Sequence, residues 1–185
     1  MRIEHSALGS STASPGGGTS RRPTALACTL AAAIVFASAS AIAGDAKGTI
    51  TYKGKAGEIV VTIKHAYLVK GPDVVSGKTI RRVVLSVADV AAKLAACGTM
   101  MCSDGDITEG MTIDFDAGPR LNFWFVGNNQ LVQYSGTAEP ASLKLTADTP
   151  QRLAGKWDFD GSAAGGPKMQ IEFDAPLVKE VTKLR

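Results

Sequence analysis

The sequence predicts an all-β domain, an antiparallel β-sandwich or small barrel of about eight or nine strands with one short helix. Apolar and polar residues alternate in many short segments, and clusters of Gly, Pro, Asn and Asp separate these segments. Strands do not alternate with long helices, which argues against a parallel sheet. We expect one such domain over residues 44–185.

The strands are predicted where the period of two is clearest. In the longest of them, the odd positions from Ile59 to Val69 form an apolar face, so His65 is expected there between Ile63 and Tyr67. The predicted strands are 48–53, 58–70, 79–87, 111–116, 120–126, 130–135, 141–147, 153–160 and 168–178.

One segment, 88–96, abandons this alternation. Val90 and Leu94 are four residues apart, Asp89 precedes them, and Gly98 follows. This pattern is typical of an acidic first turn, one apolar helix face and a glycine stop. The sequence therefore predicts a single short helix near residues 88–96.

Residues 1–43 have the pattern of an export leader. Residues 1–20 are rich in Ser, Gly and Thr, which predicts a disordered n-region, and Arg21-Arg22 precede an apolar run over 24–36. Small residues then offer cleavage after Ala39 or, as we prefer, after Ala43. The run is short and Ala-rich for an uncleaved anchor. We expect a periplasmic or secreted protein with no transmembrane segment after cleavage.

The charge balance excludes one class of partner. Lys and Arg number 20 against 17 Asp and Glu, a net charge of +3 spread along the chain. Because phosphate-backbone binding needs a dense basic patch, we expect no nucleic-acid partner.

Two cysteines remain after the predicted leader. Cys97 and Cys102 are expected to form a disulfide, since exported cysteines usually pair. The alternative is a copper-type site, because thiolates and thioethers are soft ligands and Met100 and Met101 lie between the two cysteines. His65 is a further candidate ligand.

Three consecutive aromatic residues identify a candidate binding surface. If Phe123 and Phe125 point into the core, alternation directs Trp124 outward. An exposed Trp124 beside Asn122 and Tyr134 would form a ligand or partner surface. The alternative is that Trp124 packs beneath the helix.

A cluster of carboxylates occupies residues 104–116, with Asp104, Asp106, Glu109, Asp114 and Asp116. Asp114 and Asp116 alternate with apolar residues, which favours a solvated strand face. One alternative is a calcium site, which oxygen-rich loops suit, although the EF-hand register fails because Glu109 stands where glycine is required. The other is a carboxylate pair of a hydrolase, since separation across strands is not visible in a sequence. No serine lies in a nucleophile-elbow pattern, so we assign no catalytic residue.

Four short segments resemble a group of uncharacterised exported bacterial proteins. They are Lys64-His65-Ala66-Tyr67, residues 155–157, residues 165–168 and residues 173–177. The resemblance implies a Gram-negative periplasmic or secreted β-rich domain without an assigned activity. It carries no functional residue over to this chain.

The sequence favours an exported, non-enzymatic binding or structural domain without a cofactor. Its partner would be a small molecule or a protein of the cell envelope. A periplasmic soft-metal binder and a carboxylate-based hydrolase are the two alternatives.

Overall fold

The computed structural model describes residues 44–55, 57–105 and 107–185. The predicted leader therefore lies outside the described residues. Nine strands and two short helices follow one another along the described chain. They are β1 (Gly44–Gly54), β2 (Gly57–Pro72), β3 (Thr79–Ser86), α1 (Ala91–Ala96), α2 (Cys102–Gly105), β4 (Gly110–Phe115), β5 (Leu121–Gly127), β6 (Val132–Ala138), β7 (Leu143–Thr149), β8 (Arg152–Asp160) and β9 (Lys168–Glu180).

The strands form one sheet in the order β6-β5-β4-β3-β2-β1-β9-β8-β7. Every neighbouring pair in that order is antiparallel, and the ends of β2 and β9 add a short parallel contact. The two edge strands, β6 and β7, are joined only by residues 139–142. So short a link requires the sheet to curl until its edges approach each other. The all-β class and the strand number are confirmed, and the strands form one curled half-barrel.

The inner face of the curled sheet holds the main hydrophobic core. Phe123 of β5 meets Trp157 of β8 edge to face, with ring centroids 5.6 Å apart, although their strands are far apart in the sheet order. The ring centroid of Phe159 lies 5.8 Å from that of Phe123. Aromatic side chains therefore fill the half-barrel from both walls.

A second, smaller core covers the outer faces of β2 and β3. Leu94 and Met100 pack there against Tyr67, Val84 and other buried side chains. We call the covering layer, residues 91–105 and 181–185, the outer cap. Backbone hydrogen bonds tie its two parts together: the amides of residues 100 and 101 donate to the carbonyls of residues 183 and 184.

Two sequence predictions are corrected by the structure around the outer core. The prediction that the odd positions of β2 share one apolar face is wrong, because Ile63 belongs to the inner core while Tyr67 and Val69 belong to the outer one. The pairing register of β1 with β2 shifts between Ile63 and His65, so the side-chain alternation of β2 reverses there. Both faces of β2 are then buried from Ala66 to Val69. The predicted helix is confirmed as α1, but α2 was not anticipated because four residues carry too little periodicity.

Candidate binding groove on the outer face

A groove of about 420 Å³ lies on the outer face of the sheet beside the outer cap. Thr112, Asn122, Trp124 and residues of β6 form its floor, while Arg82 of β3 forms part of its wall. We call it the β4–β6 groove. The predicted alternation is confirmed: the side chains of residues 123 and 125 enter the inner core, and that of Trp124 points outward.

Trp124 was predicted either to form an exposed surface or to pack beneath the helix, and its side chain partly does both. One part of its side chain packs against the outer core, and the remainder lines the groove. Within the described part of the chain its indole N–H has no acceptor, whereas the indole N–H of Trp157 donates to Ser142 Oγ at 3.0 Å. A half-exposed indole with an unused donor is suited to a ligand.

The polar floor is built from paired positions of β5 and β6. Asn122 is opposite Thr137, and Trp124 is opposite Ser135. Arg120 Nε donates to Thr137 Oγ1 at 3.1 Å. Asn122 and Ser135 are exposed and make no side-chain hydrogen bond with any other described residue. Their amide and hydroxyl groups are available to a bound molecule.

The wall of the groove is an ion-pair network centred on Arg82. Its Nε and Nη2 donate to the two carboxylate oxygens of Asp114 at 2.6 and 2.8 Å. Its Nη1 donates to Asp104 Oδ1 at 2.5 Å and to Ser103 Oγ at 3.2 Å. The bidentate pair with Asp114 fixes the guanidinium plane. Arg82 thus attaches α2, which carries Ser103 and Asp104, to the sheet.

The network holds one cation and two carboxylates, so it carries an excess negative charge when both acids are ionised. Only 12% of the Arg82 side chain is exposed, against 16% for Asp114 and 32% for Asp104. Burial raises the pKa of Asp104 above its ordinary value; Arg82 opposes this rise, and the nearby Asp114 adds to it.

The carboxylate cluster is thus divided between two arginines. Asp104 and Asp114 share Arg82, Asp116 pairs with Arg81, and Asp106 lies outside the described residues. Arg82 engages both oxygens of Asp114, which leaves that carboxylate poorly placed to attack a substrate. The geometry favours a structural ion pair over a catalytic pair.

Tyr134 does not join the predicted surface. It is paired with Phe125, not with Trp124, and so lies on the inner side of β6. Its ring is 6.1 Å from that of Phe123 and 5.7 Å from that of Tyr52. The structure brings Asn122 and Trp124 together and places Tyr134 on the opposite face.

The cysteine segment is closed by a Cys97–Cys102 disulfide. Both sulfurs are therefore in a bond that removes the thiolates a soft metal would need. Met100 is buried in the outer core, whereas 46% of Met101 is exposed. The described residues contain no group of three or more His, Cys, Asp or Glu side chains placed to hold a metal ion.

His65 lies beside the start of α1, not in the groove. Its ring stacks on that of Tyr67 at 6.3 Å, and the Tyr67 hydroxyl donates to Asp89 Oδ1 at 2.7 Å. Burial raises the pKa of Tyr67 to about 12, so its hydroxyl remains a donor at neutral pH. This cluster holds the chain in place before the helix.

Arg82 is the charged groove residue that the sequence interpretation missed, and Thr112, Ser135 and Thr137 were missed as well. Two adjacent arginines, Arg81 and Arg82, interrupt the β-branched strand β3. Because neighbouring strand residues point to opposite faces, one of them had to lie on each side of the sheet. The acidic segment that follows could have supplied the partners for both.

Comparison with protein-family models, with curated proteins and with solved structures finds no match to this chain. Within the described ranges, neither helix is long and apolar enough to cross a membrane.

Proposed function

We propose that this chain is an exported, non-enzymatic binding domain of the bacterial cell envelope that holds its ligand in the β4–β6 groove. One observation carries the proposal: Trp124 lines the groove with its indole N–H unused by any described residue. A volume of about 420 Å³ is in the range of small-molecule sites. An aromatic side chain beside a few polar groups is the usual composition of such sites.

The ion pairs of the wall support binding over catalysis. Arg82 engages both oxygens of Asp114 and one oxygen of Asp104. Acid–base chemistry needs a carboxyl oxygen within hydrogen-bond reach of the substrate, and Arg82 already engages both oxygens of Asp114. The network instead holds the wall rigid, which lowers the entropic cost of binding.

The disulfide supports the proposed export. Cys97 and Cys102 form a bond that persists in the periplasm or outside the cell, whereas cytosolic reductants would open it. The leader predicted within residues 1–43 would supply the route.

The test uses the two indole N–H signals of the protein as internal reporters. Protein isolated after expression of the full chain is titrated with triacetylchitotriose, trigalacturonate, choline and trialanine, and nitrogen–proton NMR spectra are recorded. We expect at least one probe to shift the Trp124 signal in a saturable manner while the buried Trp157 signal stays in place. The Trp124→Phe variant assigns the two signals.

Asn122→Ala and Gln170→Ala form the matched control pair. Both remove an exposed amide from an outer strand face, but Asn122 lines the groove and Gln170 lies on β9. Binding in the groove weakens only in the first variant. If no probe moves the Trp124 signal at millimolar concentration, or if Gln170→Ala weakens binding equally, the groove is not the binding site.

A further inference from the structure

We infer that the ligand of the β4–β6 groove is a neutral saccharide, an inference that rests on the function proposed above. The supporting features are the charge balance of the wall, the mixture of donors and acceptors on the floor, and the dimensions of that floor.

The charge balance disfavours an anionic ligand. Arg82 is the cation in the wall, and its Nε, Nη1 and Nη2 all donate to Asp104, Asp114 or Ser103. Arg120, at the edge of the floor, pairs with Glu139. A phosphate or carboxylate would meet paired arginines and an excess carboxylate. Among the described residues that line the groove, it would find no unpaired cation to offset the cost of its desolvation.

A cationic ligand is disfavoured for a related reason. An ammonium site usually places open carboxylate oxygens around an aromatic face. Here both oxygens of Asp114 and one of Asp104 already accept hydrogen bonds from Arg82.

The free polar groups match hydroxyl groups. The indole of Trp124 is a donor, while the amide of Asn122 and the hydroxyl of Ser135 each donate and accept. Sugar hydroxyls also donate and accept, so each can pair with such a mixed set. The C–H face of a sugar ring is flat and apolar, so it can pack on the exposed part of the Trp124 indole ring.

The floor has the dimensions of a small ring. Asn122 and Trp124 are alternate residues of β5, about 7 Å apart along the strand, and their partners Thr137 and Ser135 lie about 5 Å away on β6. A sugar ring covers an area of this size.

The experiment compares saccharides that differ in charge. Triacetylchitotriose, maltotriose and cellotriose are neutral, chitotriose has the backbone of the first with free ammonium groups, and trigalacturonate is anionic. Each is titrated into the protein isolated after expression of the full chain, with the Trp124 indole N–H as the reporter and choline and trialanine as non-saccharide probes. We expect at least one neutral trisaccharide to bind at least about tenfold more tightly than every charged probe and trialanine.

The variants separate the groove from the remainder of the surface. Asn122→Ala should weaken neutral saccharide binding about tenfold, the loss of one ligand hydrogen bond, while Gln170→Ala should leave it unchanged. If a charged probe or trialanine binds in the groove as tightly as every neutral trisaccharide or more tightly, the saccharide inference is overturned and the proposed binding function stands. If no probe shifts the Trp124 signal, both are overturned.

Discussion

Arg81 and Arg82 are neighbours in β3, and each binds two aspartates, yet they act in different regions of the molecule. Arg81 lies at the inner side and joins β3 to Asp116 and to Asp148 at the end of β7. Its partners are 45% and 56% exposed. Arg82 lies at the outer side, and its partners are 16% and 32% exposed.

The difference shows how environment sets the role of an ion pair. The Arg81 network joins the edge strand β7 to the opposite wall of the half-barrel. Because water competes for its carboxylates, these ion pairs contribute little to the free energy of unfolding. Around Arg82, the acids have lost much of their hydration and depend on the guanidinium for compensation. The first network closes the half-barrel, and the second builds the wall of the groove.

Removal of the two arginines should give the largest contrast. Arg82→Ala leaves Asp114 and Asp104 without their cation in a poorly hydrated position, and we expect it to reduce the free energy of unfolding by about 3 kcal/mol. Arg81→Ala exposes its partners to water and should cost about 1 kcal/mol or less. Urea unfolding followed by tryptophan fluorescence measures both. Equal losses, or a larger loss for Arg81→Ala, would contradict the comparison.

Removal of the disulfide should have the next largest effect. Cys97 and Cys102 close a short loop at the start of α2. The double variant Cys97→Ser with Cys102→Ser should reduce the free energy of unfolding by about 2 kcal/mol, because the unfolded chain regains the entropy of the open loop. Because α2 carries Asp104, this loss should be non-additive with Arg82→Ala and additive with Arg81→Ala. Double-mutant cycles in urea test this, and equal coupling to both arginines would show that the disulfide does not position the wall.

Carboxyl titrations sharpen the role of burial. Burial raises the pKa of Asp104 despite its contact with Arg82, whereas hydrogen bonds from Arg152 lower the pKa of the more exposed Asp174. The stability that protonated Asp104 contributes is therefore present at low pH and lost as pH rises through its raised pKa. The contribution of Asp174 is present above its unfolded pKa and lost as pH falls through its lowered pKa.

Carbon-13 NMR of the side-chain carboxyls measures both midpoints, with Asp104→Asn and Asp174→Asn to assign them. The expected order places the midpoint of Asp104 above the ordinary aspartate value and that of Asp174 below it. A low midpoint for Asp104 would mean that attraction to Arg82 exceeds the cost of its burial.

Salt should produce the smallest effect. Raising the sodium chloride concentration to molar levels screens exposed charges, so the stability difference between wild type and Arg81→Ala should shrink by about 0.3 kcal/mol. The difference for Arg82→Ala should change less, because its partners are less exposed to ions. Unfolding curves at low and high salt provide the measurement. A stronger salt dependence for Arg82→Ala would show that the Arg82 network is more accessible to ions than the Arg81 network, which would contradict the comparison.

The strands and the outward Trp124 were predictable because alternation is a local property of an extended chain. The position of Tyr134 was not predicted correctly. It depends on the pairing register after the turn at residues 127–131, where Asn128, Asn129 and Gln130 all have positive φ. A shift of one residue reverses the face of every side chain in β6, so Tyr134 pairs with Phe125 and faces the inner core.

The sequence alone determined the all-β class, the approximate strand positions and the alternation of Phe123, Trp124 and Phe125. These depend on side-chain period and turn residues over a few positions. Only the tertiary structure decided how far the sheet curls, which acids Arg82 binds, and that α2 stands beside Trp124. Each of these contacts joins residues distant in the chain, and strand order and the packing of the outer cap place them together.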